Sequence, residues 1–371
     1  MKIKQIIEIL EQMAPLAYAE NFDNVGLLVG DKNQETKGIL VCHDALEMVV
    51  DEAINKNCNL IICFHPIIFL GLKKITGNNY VERSVIKAIK NDIAIFAVHT
   101  ALDNHQEGVN KIFCVALGLI NTKILIPKNN FIQKLITYTT PENANKLRKS
   151  LFDAGAGKIG NYENCSFNSL GKTTFQGNEN SNPVVGERFE YVESDEIKIE
   201  VTFEKHQQTP ILNALFDNHV YEEVAYEIYS LENQHQNIGL GMIGELEFEM
   251  LEEDFLKFVK QKMQANGIRH SEFLNKKVKK IAVLGGSGSE YIKQAIAARA
   301  DVFLTADLKY HNFYEAENEI LLADIGHFES ERYTKNYIFD YLIKKITNFA
   351  NSNLASKINL SEINTNPVKY L

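Results

Sequence analysis

Residues 38–65, GILVCHDALEMVVDEAINKNCNLIICFH, and residues 280–307, KIAVLGGSGSEYIKQAIAARADVFLTAD, can be laid one above the other without a gap. In each, an apolar strand leads through a turn into a helix, carrying Asp51-Glu52-Ala53-Ile54 or Lys293-Gln294-Ala295-Ile296, and then into a second apolar strand. Apolar strands alternating with helices mark an α/β arrangement. The chain is therefore expected to be α/β, with two similar halves forming one split domain. His65 falls opposite Asp307, and each half then repeats the pattern. The first runs through ERSVIKAIKND into IAIFAVHTALDN, and the second through FYEAEN into EILLADIGHFESE. The two closing strands end in His99-x3-Asp103 and His327-x3-Glu331.

A histidine and a carboxylate four apart on a helical turn share a face, and open α/β sheets place ligands beyond the carboxyl ends of their strands. Two halves packed together bring imidazoles and carboxylates to one cleft, a mixed nitrogen and oxygen inventory suited to a divalent ion. A single HxxxE reads more simply as a helix-cap carboxylate beside a hydrogen-bonded histidine. Its duplication, together with His65 at the end of LIICFHPIIF, favours ligands. Pro66 fixes the backbone next to His65, which suits a held ligand and equally a plain turn. GGSGSE (285–290) resembles a nucleotide-binding turn, but Tyr291 stands where a dinucleotide fingerprint starting at Gly286 wants glycine. It reads as a tight strand-to-helix turn, comparable to the one Asp44 holds in the other half.

Between the halves the pattern changes to strand, helix, two strands, helix and strand, the order of a ferredoxin-like α+β unit inserted into a larger fold. The expected parts are residues 1–125 and 238–371 for the split domain and 126–237 for the insert. In 371 residues, 45% hydrophobic and 23% charged, there is enough apolar material for more than one core. A net charge of −9 argues against a nucleic-acid face, which needs clustered Lys and Arg. Five scattered cysteines without a CxxC read as buried free thiols of a reducing compartment. MKIKQIIEILEQM spaces Ile3, Ile6, Ile7, Leu10 and Met13 along an amphipathic helix rather than a signal peptide, and no stretch approaches the roughly 20 apolar residues of a membrane span. A cytoplasmic protein is expected. The C-terminal segment should be a peripheral strand or an arm over a neighbouring subunit.

Taken together, ENFDNVGLLVG (20–30), FHPIIF, HTALDN, GGSGSE, TADLKYH and LLADIGHFESE resemble the NIF-three-like, dinuclear metal centre hexameric family, also called GTP cyclohydrolase type-two homologues. GAGKIGNYENCSFNSLGKTTFQG is similar to the insert of its long bacterial members, a CutA/PII-like domain. The resemblance implies a homohexamer with metal pairs facing an internal cavity. It implies His65, Asp103, His327 and Glu331 as ligands of one or two divalent ions (zinc, iron, manganese or cobalt), with Asp103 and Glu331 suited to bridging because each carboxylate has two oxygens. His99 and His311 become substitute-ligand candidates. The family's HHP motif meets Phe64-His65-Pro66 here, so one nitrogen donor is missing, and Cys63 reads as a core thiol rather than its replacement.

A pair of ions about 3.5–4 Å apart activates water and clamps an oxygen during hydrolysis. The leading expectation is thus a metal-dependent hydrolase of a nucleotide-like, phosphoester or cyclic amidine small molecule, with His99 as base or orienting residue. The rival is a metal-organised hexameric assembly whose insert senses a small molecule or docks a protein.

Overall fold

A computed structural model describes residues 1–348 and 352–371. The chain divides into two compact units, one made of residues 1–126 and 237–371 and the other of residues 127–236.

The first unit starts with α1 (Ile3–Met13), which buries Ile3, Ile6, Ile9, Leu10 and Met13. Strands β1 (Gly26–Val29), β2 (Ile39–Asp44), β3 (Leu60–His65) and β4 (Ala94–Ala97) follow, with α2 (Glu47–Asn55) and α3 (Tyr80–Lys90) as the crossovers after β2 and β3. The chain then forms α4 (His99–Asp103), α5 (Val109–Ala116) and β5 (Ile120–Pro127). The second unit, in chain order, is β6 (Ile132–Thr139), α6 (Pro141–Asp153), β7 (Phe167–Gln176), β8 (Tyr191–Glu204), α7 (Gln208–Asn218) and β9 (Tyr226–Leu231). Its sheet order is β7-β8-β6-β9, antiparallel throughout. Leu147 and Leu151 of α6 and Ile211 and Leu215 of α7 cover one face of it, against Leu135, Ile199 and Val201.

The first unit resumes with β10 (Gly239–Leu251), α8 (Glu252–Lys262), β11 (Arg269–His270), β12 (Lys277–Ser287), α9 (Ile292–Ala297), β13 (Val302–Ala306) and β14 (Leu321–Asp324). It ends with α10 (His327–Glu331), α11 (Thr334–Asn348) and β15 (Ile358–Leu360). One sheet runs β1-β4-β3-β2-β15, the other β11-β14-β13-β12-β10-β5. Within them β2, β3 and β4, and likewise β12, β13 and β14, are parallel neighbours. The gapless sequence echo is thus an echo of topology, with three parallel strands followed by a five-residue helix that opens in histidine and closes in a carboxylate.

These strands read as continuous apolar runs because both faces are covered. On β2, Ile39 and Val41 pack with Ile6 and Leu10 of α1 and with Ile338 and Leu342 of α11. Leu40 and Cys42 face Val49, Val50 and Ala53 of α2 and Val85 and Ala88 of α3. The alternation continues on β3, where Leu60, Ile62 and Phe64 join the first face and Ile61 and Cys63 the second.

The C-terminal segment forms a strand, β15, parallel to β2, and the residues beyond it return over their own chain. The Thr365 hydroxyl donates to Asp44, and Asn366 Nδ2 donates to Glu329 Oε1 at 3.0 Å. Among the described residues no helix is long and apolar enough to cross a membrane.

Candidate metal centre

The carboxyl ends of the two parallel triplets deliver side chains to one place. His65 is the last residue of β3. His327 opens α10 after Gly326, whose φ of +94° makes the sharp entry into that helix, and Glu331 follows one turn later on the same face. Their donor atoms lie within 4.8 Å of one another. His65 Nε2 is 3.3 Å and His327 Nε2 3.4 Å from Glu331 Oε2, and the two Nε2 atoms are 3.4 Å apart. A tetrahedral shell with bonds of about 2.0–2.1 Å spaces its donors by about 3.4 Å. The triangle therefore has the dimensions of one face of such a shell.

The far side of each imidazole is held by a carboxylate. His65 Nδ1 is 2.8 Å from Asp44 Oδ1, His327 Nδ1 2.7 Å from Asp307 Oδ2, and His99 Nδ1 2.9 Å from Asp23 Oδ1. Such carboxylate–histidine pairs fix the proton on Nδ1 and turn Nε2 toward an ion. Asp23 also accepts the Thr100 backbone N–H at 3.1 Å. Burial opposes its ionisation, but His99 and Thr100 outweigh that and hold the carboxyl below its usual range.

Glu331 is 3% exposed, and its Oε2 accepts no hydrogen bond among the described residues. Burial alone would raise its pKa; the charges of His327 and His65 overcome this and hold it well below the usual carboxylate range. Asp103, at the end of α4, behaves oppositely. Burial and then the Glu331 charge push it well up, and its buried Oδ1 is also without a hydrogen-bond partner among the described residues. Asp103 stands outside the close triad but lines the same cavity of about 470 Å³ as His65, His99, His327 and Glu331. Two buried carboxylates with orphaned oxygens, beside aimed imidazoles, fit a divalent cation. Burial lowers the His65 pKa, yet the Glu331 charge and the Asp44 bond carry it up to about 10. The Glu331 charge likewise carries His327, against burial, up to about 9. Ligation needs the neutral ring, so an ion and a second ring proton compete for the same nitrogen at His65 and His327.

GGSGSE has a different task from phosphate binding. Gly286, at φ +71°, sits so close to the carboxylate that a Cβ there would lie 2.6 Å from Glu331 Oε1. Its N–H donates to Ser330 Oγ at 2.9 Å, while that of Gly285 donates to Asn110 Oδ1 at 2.9 Å. The turn is a recess for Glu331.

Phe64 is fully buried, with its ring centroid 5.4 Å from that of His43 and 5.5 Å from that of His99. Cys63 is a core thiol, its Sγ donating to the Phe96 carbonyl at 3.4 Å and its pKa pushed up by burial. His311 is exposed, beside Tyr310 and Tyr314, and belongs to neither cavity at the centre.

A family model described as Duf34/NIF3 (NGG1p interacting factor 3) matches residues 1–367. The chain belongs to this Duf34/NIF3 family. The GTP cyclohydrolase 1 type 2 homolog of Bacillus subtilis (strain 168) is 38% identical to it over 370 residues, covering 99% of this chain and 98% of its own. The homolog of the same name from Staphylococcus aureus (strain MSSA476) is 35% identical over 374 residues, all of both chains. The crystal structure of the Bacillus cereus protein related to NIF3 matches with a TM-score of 0.86 at 37% identity, over 100% of this chain and 99% of that one. That of Staphylococcus aureus protein SA1388 matches with a TM-score of 0.77 at 32% identity, again over 100% and 99%.

Within this Duf34/NIF3 chain, sequence reasoning missed one member of the centre. His43, in the apolar stretch VCHD, is 4% exposed and places Nε2 3.4 Å from Glu331 Oε2. It lines a second cavity of about 400 Å³ with Asp44, His65, Asp307 and His327. Its signal was the strand register, which sets it level with Phe64. The roles of Asp23, Asp44 and Asp307 were equally hidden, since each lies 20 or more positions from the histidine it holds.

Proposed function

We propose that this centre binds divalent metal ions and that the protein is a hydrolase of a small nucleotide-like, phosphoester or cyclic amidine substrate. The observation that carries this reading is the convergence of imidazole nitrogens on the orphaned Glu331 Oε2. His65, His327, Glu331 and Asp103 would hold the ions, which when bound supply Lewis acidity and activation of water. His99 is the proton-handling group. Asp23 holds its Nδ1, so Nε2 is the atom that takes a proton in the cavity. Phe22, Phe69 and Tyr291 line the same cavity, and Phe22 and Phe69 stand 6.4 Å apart, 67% and 44% exposed. These faces suit a flat heterocycle. The relatives' name puts GTP first among the nucleotides to assay.

The second unit is proposed to be a ferredoxin-like, CutA/PII-like domain, on the strength of its element and strand order. Its own cavity of about 510 Å³, lined by Tyr138, Thr173, Glu196 and Tyr221 among others, favours a second reading in which this unit senses a small molecule within a metal-organised assembly. We extend the family expectation of a homohexamer to this chain, testable by light scattering.

The test is turnover of GTP, aryl phosphoesters and cyclic amidines by cobalt- and zinc-loaded protein. Metal-dependent hydrolysis that falls at least about 100-fold in His99→Gln, at unchanged metal content, supports the hydrolase. Metal binding without turnover of any of them, together with effector binding to the second unit, would move the assignment to the regulatory assembly.

A further inference from the structure

We propose that His43 is a metal ligand of this centre, supplying from β2 the nitrogen that Phe64 cannot supply from β3. The inference rests on the reading that the centre binds metal.

The register of the two strands carries the argument first. Cys42 pairs with Cys63 and Asp44 with His65, so His43 and Phe64 lie side by side on neighbouring parallel strands and project to the same face. Their ring centroids are 5.4 Å apart. A donor lost from one strand can therefore be restored from the next without moving the backbone. At that level on β3 stands Phe64, whose ring is fully buried with Ile62 and Val98 in the apolar core and offers no donor.

The state of the His43 side chain carries it further. The residue is 4% exposed, and neither ring nitrogen has a hydrogen-bond partner among the described residues. An imidazole buried in that condition is costly unless something takes its lone pair. Its Nε2 lies 3.4 Å from Glu331 Oε2, matching the 3.3 and 3.4 Å of His65 and His327 to the same oxygen. Three imidazoles thus surround one carboxylate oxygen, and His43 differs only in lacking a carboxylate behind it. If His43 were merely an aromatic filler against Phe64 and Phe328, 5.4 and 5.1 Å away, nothing would require its Nε2 to face Glu331.

The experiment is reconstitution of chelator-stripped full-length protein with cobalt(II), reading ions per chain by elemental analysis, affinity by competition with a chromophoric chelator, and donor set from the visible spectrum. Wild type should take up about two ions per chain. His43→Leu should lose one of them or bind it at least about 100-fold more weakly, a larger effect than loss of an outer partner. The double variant His43→Leu/Phe64→His should regain it, whereas Phe64→His alone should gain none. His43→Gln keeps a polar side chain of similar reach facing Glu331 but is a poor ligand, and should behave as His43→Leu does. Unchanged stoichiometry, affinity and spectrum in both single His43 variants would overturn the assignment while leaving the metal centre intact. A wild-type protein that binds no cobalt, or a His327→Ala/Glu331→Ala variant that keeps its full complement, would overturn the metal-centre reading itself and His43 with it.

Discussion

The first half of the centre ends its strands in His43, Asp44, His65, His99 and Asp103, while the second half, at the corresponding points, presents Gly285, Gly286, Asp307, His327 and Glu331. The scaffolds match, but the contents do not. Where β2 carries His43 and Asp44, β12 carries two glycines, and the space they leave is filled by Glu331. One half brings most of the nitrogen, and the other brings the recess and the central carboxylate. Even the backbone turn into the two short helices is solved differently. Gly326 takes φ +94° before His327, whereas His99 itself takes φ +25° after Val98, a conformation that costs a non-glycine residue of order 1–3 kcal/mol. The duplicated scaffold is divided by task, and neither half alone carries the whole candidate centre.

If ions join the halves, removing them should have the largest effect. Chelation should lower the melting temperature by the equivalent of about 4 kcal/mol at ion concentrations near a thousand times Kd, and added metal should restore it; calorimetry with and without chelator reads this directly. Next comes the glycine recess. Gly286→Ala forces a side chain onto a positive φ and against Glu331, so roughly 2 kcal/mol of stability and most of the bound metal should be lost, as thermal melts and elemental analysis would show.

Outer partners should matter less and unequally. Asp44→Asn and Asp307→Asn should each weaken metal binding by about 10–100-fold. Asp44 should cost more, because its pair with His65 is 27% and 22% exposed against 51% and 38% for Asp307 and His327. Equal losses in a competition titration would contradict the difference drawn between the halves. The smallest effect belongs to the C-terminal segment where it runs beside β2 and α2 of the first half. Glu52 accepts from Ser361 Oγ, from the Glu362 N–H at 3.0 Å and from Lys56 Nζ at 2.9 Å. Although burial opposes it, these bonds hold the carboxyl below its usual range. A depressed carboxyl contributes stability above its unfolded pKa, about 4.3, and loses it as pH falls through the folded value. Glu52→Gln should therefore cost about 1 kcal/mol at pH 7, with the gap to wild type closing below about pH 4.

Much of this was legible in the sequence because strand periodicity and the gapless repeat are local. They placed His65, His327 and Glu331 at strand ends, and the structure brings those three together. Asp103 was legible as the twin of Glu331, yet it stands back from the triad, since Glu331 enters over a glycine recess and Asp103 has none. The carboxylates behind the histidines were not legible, because Asp23 meets His99 and Asp44 meets His65 only through tertiary packing. His43 was hidden for another reason. Inside an apolar run a histidine looks like filler, and only the pairing of β2 with β3 sets it beside Phe64.

The most direct measurement is elemental analysis of the protein as purified, beside its Asp103→Ala/Glu331→Ala variant. A centre built across both halves predicts about two ions per chain in wild type and a near-complete loss in the variant, with the fold retained by circular dichroism. Wild type without metal, or a variant that keeps it, would contradict the account.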